Sequence, residues 1–162
     1  MRRWIVAFVI FAAAAGGMLW WAPWKVTTVA KPSALDIYFT CDTSGRIEPC
    51  GCFSGQMGGL TRVSTVLKTV PEAALKFEVG DAIAGTEDFH VIQYRYLLLA
   101  FGQAGYKAVN LGRREAKLSA ATLRELAAAS PVPLVSANVV DAATFRPLVK
   151  PWLAVEQNGL RV

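Results

Sequence analysis

Residues 75–112 read LKFEVGDAIAGTEDFHVIQYRYLLLAFGQAGYKAVNLG, and three segments stand out in them. Leu75–Val79 reads as a β-strand and stops at Gly80-Asp81. Phe89–Ala104 reads as a helix of several turns closed by Gly105, because glycine tolerates the left-handed conformation that ends helices. Lys107–Leu111 reads as a second strand, stopping at Gly112. A strand, a helix of more than ten residues and another strand make a βαβ unit, and such a crossover makes the strands parallel.

The pattern extends in both directions. Upstream, Leu35–Cys41 is rich in β-branched and aromatic residues and ends at Asp42. A glycine-rich loop spans Gly45–Gly59. Leu60–Val70 follows, with apolar residues at 60, 63, 66, 67 and 70, a helical spacing closed by Pro71. Downstream, Leu118–Ala129 reads as a helix starting near Lys117 or Ser119, and Pro133–Ala137 as a strand. Trp152–Glu156 and Leu160–Val162 flank an Asn-Gly turn and read as a hairpin. Its second strand is short, as if cut within an element, which predicts an exposed sheet edge and a protein partner to cover it. Residues 35–162 therefore read as one α/β domain.

Residues 1–24 differ in kind. Arg2 and Arg3 precede an uncharged apolar run from Trp4 to Trp24, long enough to cross about 30 Å of hydrocarbon. Tryptophans at both ends suit the headgroup layers, and the arginines place the N-terminus in the cytoplasm. The expectation is a single-pass anchor in an inner membrane, a linker over 25–34, and a domain on the periplasmic side. A cleaved signal peptide is the competing reading, since Ala12–Ala15 offers small residues. The net charge of +5 over 162 residues is mild. Basic residues are scattered among acids after residue 30, which argues against nucleic-acid binding.

Open α/β sheets place their chemistry at the carboxyl ends of strands. Those ends read Asp42-Thr-Ser-Gly45, Gly80-Asp81 and Gly112-Arg-Arg-Glu115. Two aspartates leaving neighbouring strands could converge on a hard cation, although an aspartate after a strand is more often a turn former. The order and wording of the loops carry more. Thr40–Pro49, Gly58-Gly-Leu-Thr-Arg-Val63, Val79-Gly-Asp81, Ala108–Glu115, Ser136-Ala-Asn-Val139 and Asn158–Val162 together resemble the N-terminal half of the 5′-nucleotidase branch of the calcineurin-like metallophosphoesterases. The resemblance spans residues 35–162. It implies a metallophosphoesterase-like mixed-sheet α/β fold, part of a four-layer sandwich, with a two-metal centre at the strand ends. It also implies divalent ions as cofactors and a phosphate-containing small molecule as ligand. By position, Asp42 and Asp81 match two of the family's metal ligands.

Other positions depart from the family. Ser44 stands where the resemblance implies a histidine ligand, Arg113 where it implies asparagine, and Arg114 where it implies the catalytic histidine, while Glu115 is kept. A guanidinium has no lone pair for a metal. Arg113 is therefore expected to stand in for a cation by pairing with Asp42 or Asp81, and Arg113 with Arg114 to offer an anion-binding pair.

Cys41, Cys50 and Cys52 fall within twelve residues at the mouth of this site. One structural disulfide with a spare thiol, a thiol redox site, and a soft-metal site completed by His90 all fit them. A Pro-Cys-Gly-Cys loop followed by Gly-Gly-Leu also resembles a divergent exported subgroup of the same family. Three functions follow: an anchored domain that binds without hydrolysing, a thiol-based protein, or the N-terminal piece of an active phosphate-ester hydrolase. The first is the expectation for this chain alone.

Overall fold

The computed structural model describes residues 34–49 and 55–162. The expected anchor and most of the linker lie outside them, as do Cys50 and Cys52. Among the described residues no helix is long and apolar enough to cross a membrane.

Four strands form one sheet in the order β1 (Ile37–Thr40), β2 (Leu75–Glu78), β3 (Ala108–Asn110) and β4 (Leu134–Val135), every pair parallel. The crossovers carry α1 (Leu60–Leu67), α2 (Asp88–Gln103) and α3 (Ala120–Ala129), with a 3-10 turn at Glu115–Lys117 before α3. Each helix falls where its apolar period placed it. Ser119 caps α3, its hydroxyl accepting a bond from the Thr122 amide at 3.1 Å. Gly59 precedes α1 with φ of 83°. A Cβ there would lie 2.5 Å from the Glu48 carbonyl carbon, so Gly59 lets two loop segments pack closely.

Strand order equals chain order, so each crossover steps the same way across the sheet. Right-handed connections then put all the helices on one face. The core agrees: Leu67 of α1, Tyr94, Leu97, Leu98 and Phe101 of α2, and Leu123 and Leu126 of α3 form one buried cluster with Val109 and Leu134 of the sheet. The opposite face carries Ile37, Phe39, Phe77, Val79, Ala108 and Val135, which line a shallow apolar groove with Val162. Phe39 and Phe77 stack there with ring centroids 6.0 Å apart.

One expectation is corrected. The main sheet is parallel throughout rather than mixed, because every connection within it is a helical crossover. The terminal hairpin, β5 (Glu156–Gln157) with β6 (Leu160–Arg161), forms its own two-stranded sheet and does not extend the main one. Among the described residues β1 is an edge strand of the main sheet, which also leaves an apolar face open.

Candidate functional site

At the carboxyl ends of β1, β2 and β3 three loops are pressed together. The Asp42 amide bonds to the Gly80 carbonyl at 3.0 Å, the Ser44 amide to the Asp81 carbonyl at 3.1 Å, and the Gly45 amide to the Ala82 carbonyl at 2.7 Å. Asp42, Ser44 and Asp81 all have φ between 51° and 59°, a left-handed conformation uncommon outside glycine. A Cβ at Gly112 would lie 2.3 Å from the Asp81 nitrogen, so only glycine lets the third loop touch the second.

Glu115 fastens the three-loop junction from below. It is fully buried. Its Oε2 accepts the amides of Gly112 at 2.8 Å and Asp81 at 3.1 Å, and its Oε1 accepts that of Ile83 at 2.9 Å. One carboxylate thus satisfies three inward-pointing donors from two loops.

Arg114 lies on the upper side. Its backbone amide donates to Asp81 Oδ1 at 2.8 Å. Its Nη1 lies 2.8 Å from Asp42 Oδ1 and also donates to the Ser44 hydroxyl. Ser44 in turn donates to Asp42 Oδ1 at 2.7 Å. The Ser44 hydroxyl, helped by the Arg114 charge, holds the Asp42 carboxyl below its ordinary value. The structure therefore brings Asp42, Ser44, Asp81 and Arg114 together. It places Arg113 differently: this side chain is exposed and makes none of the described ion pairs. The expected pairing belongs to Arg114, because the turn into Glu115–Lys117 directs that residue across Asp81.

A second polar cluster, which the sequence reading did not anticipate, lies beneath β1 and β2. Glu78 is 1% exposed and accepts hydrogen bonds from the hydroxyls of Thr40 and Thr43, while Tyr106 lies 3.0 Å from Thr40. Burial raises the Glu78 pKa above its ordinary value. Two charged residues, Lys76 and Glu78, within a strand read as parallel were the available signal, since such strands are buried on both faces.

His90 does not approach the aspartates. Its Nδ1 lies 2.5 Å from Glu87 Oε2, and it lines an open groove of about 570 Å³ with Arg46, Phe89 and Gln93. Cys41 is exposed at the end of β1. Among the described residues no group of three or more His, Cys, Asp or Glu side chains could hold a metal ion.

A parallel βαβ sheet with Asp42, Gly80-Asp81 and Gly112-Arg-Arg-Glu115 at successive strand ends is similar to the N-terminal part of solved structures from the 5′-nucleotidase branch of the calcineurin-like metallophosphoesterases. Among solved structures, the chain is similar to the 5′-nucleotidase precursor from Thermus thermophilus. The identity is 28%, the TM-score 0.63, and the match covers 78% of this chain and 27% of that one. It is similar also to the NAD nucleotidase of Haemophilus influenzae, at 22% identity and a TM-score of 0.62, over 78% of this chain and 25% of that one. The chain thus spans about a quarter of the length of either. No family model matches the chain, and no curated protein matches it.

Proposed function

We propose that this chain is a membrane-anchored, exported domain of the nucleotidase fold that binds a phosphate-bearing small molecule and does not hydrolyse it alone. One observation carries the reading: the Arg114 guanidinium lies 2.8 Å from Asp42 while its amide holds Asp81. The fold family implies two divalent ions at this place, and the residues present do not fit them. Asp42 Oδ1 already accepts two donors, Ser44 supplies no imidazole, and a fixed positive charge beside the carboxylates repels a cation. The same charge, with exposed Arg113 next to it, suits an anion. The domain would therefore recognise phosphate by a guanidinium where the fold family implies metal.

The test is isothermal titration of the full chain with Mn²⁺ and with inorganic phosphate, alongside hydrolysis of p-nitrophenyl phosphate with Mn²⁺ present. Phosphate binding that Arg114→Ala weakens, without turnover, is the expected result. Stoichiometric binding of two Mn²⁺ with turnover would overturn the reading. A second reading is favoured by the coverage of only a quarter of each solved relative: the active unit is a longer polypeptide carrying further metal ligands. An intact mass of the protein from its own membrane separates the two.

A further inference from the structure

α2 is apolar on two opposite sides, and only one of them is used by the core. Tyr94, Leu97, Leu98 and Phe101 are buried against the sheet and the other helices. On the far side Phe89, Ile92, Tyr96 and Leu99 are 62%, 54%, 62% and 46% exposed. The outward sides of α1 and α3 expose a single large apolar residue between them, Val66. A helix that is apolar all round belongs in an interior, so this stripe calls for a cover.

The spacing of the stripe suits a second copy of the same helix. Residues 89, 92, 96 and 99 recur at alternating intervals of three and four, the a and d positions of a heptad seam. Both a positions, Phe89 and Tyr96, are rings; both d positions, Ile92 and Leu99, are branched aliphatics. In an antiparallel helix pair, a of one copy packs against d of the other. Two copies of this seam then meet as Phe89 with Leu99 and Ile92 with Tyr96, each occurring twice about a two-fold axis. Every layer sets a large flat side chain against a smaller branched one, which is how cores fill space. A parallel pair would instead oppose ring to ring and aliphatic to aliphatic.

Charge agrees with this arrangement. Arg95 flanks the seam and is held by Glu125 of α3 at 2.6 Å, so a two-fold contact brings no uncompensated like charges together. The flanks also lack the array of free cations that an interfacial membrane helix requires; Asp88 at the first turn is acidic. The four side chains offer about 450 Å² per copy, taking roughly 200 Å² for each when fully exposed. That is a little over half of the ~800 Å² a standard interface takes from each partner, which suits a weak, reversible dimer.

We infer that α2 is a self-association surface, on which a second copy of this chain docks its own α2 antiparallel through Phe89, Ile92, Tyr96 and Leu99. The inference is independent of what the strand-end loops bind.

Sedimentation equilibrium of the full chain in mild detergent tests it, beside Tyr96→Glu and Ile92→Glu variants whose folding is checked by circular dichroism. A dimer weakened on the order of a hundredfold by either change is expected, since each places a charge in a buried layer. Disulfide trapping gives the register. With Cys41, Cys50 and Cys52 replaced by serine, Ile92→Cys chains mixed with Tyr96→Cys chains should cross-link, and neither should cross-link with itself. A dimer indifferent to Tyr96→Glu would overturn the proposal, as would self-cross-linking of Ile92→Cys. So would a monomer that binds phosphatidylcholine–phosphatidylglycerol vesicles through Tyr96, which would assign the stripe to a lipid surface.

Discussion

Replacing Glu115 should unfasten the loops that build the site. Its carboxylate accepts three backbone amides at 2.8, 2.9 and 3.1 Å from a fully buried position. Glu115→Ala leaves all three donors without a partner, at about 1–3 kcal/mol for each buried group. With some entry of water, a loss of about 4 kcal/mol is expected, a large share of the roughly 5–15 kcal/mol that holds a domain together. Glu115→Gln is the informative variant. Its single amide oxygen can serve Gly112 and Asp81, but its NH₂ then faces the Ile83 amide, donor against donor. Its expected cost is about 2 kcal/mol, half that of alanine. Urea denaturation read by circular dichroism, with an unchanged slope, measures both. A glutamine variant as stable as the parent would refute the reasoning, and so would one as damaged as alanine.

Gly112→Ala should cost roughly 2–4 kcal/mol, because its Cβ would lie 2.3 Å from the Asp81 nitrogen and 2.6 Å from Asp81 Oδ1; thermal melts report it. Glu78 has a raised pKa through burial, so its contribution is present below the unfolded value and lost as pH rises through the folded one. Glu78→Gln should therefore gain on the order of 1 kcal/mol relative to the parent at alkaline pH and flatten the stability profile measured from acid pH upward. Asp42 has a lowered pKa, so its smaller, solvent-screened contribution is present above the unfolded value and fades as pH falls through the folded one. Carbon-13 NMR titration of the Asp42 carboxyl should show an upward shift in Ser44→Ala and a further one when Arg114→Ala is added. Finally, Ser44→His with Arg113→Asn and Arg114→His should create Mn²⁺ binding that the parent lacks, read by electron paramagnetic resonance.

The sequence carries the sheet well, since each strand is a short apolar run that stops at Asp or Gly and each crossover keeps a helical period. Strands are shorter than expected, as with Leu134–Val135 against residues 133–137, because pairing ends where the loops diverge. The site is legible in its membership and not in its wiring. Position along the chain makes Arg113 the partner of the aspartates. Only the tight turn at Glu115–Lys117, anchored by a buried carboxylate, reveals that Arg114 crosses the site while Arg113 is left to solvent. Glu115 reads in the sequence as a retained letter, and nothing in a linear pattern tells that it binds amides of two separate loops. The hairpin is located by its Asn-Gly turn, but whether it joins the main sheet depends on long-range pairing that local periods do not encode.

The agreement of strand order with chain order also governs how the domain comes into being. Paired positions Thr40–Glu78, Glu78–Val109 and Val109–Leu134 lie 38, 31 and 25 residues apart, so no strand must wait for a distant one to be inserted between its neighbours. A chain released from its N-terminal end can add one strand and one helix at a time, each new unit docking on a finished template. The closure cost is similar at every step and grows only slowly with loop length. Assembly of this kind tolerates slow, one-way delivery, and its first strand, β1, would spend the longest time with its outer edge unguarded.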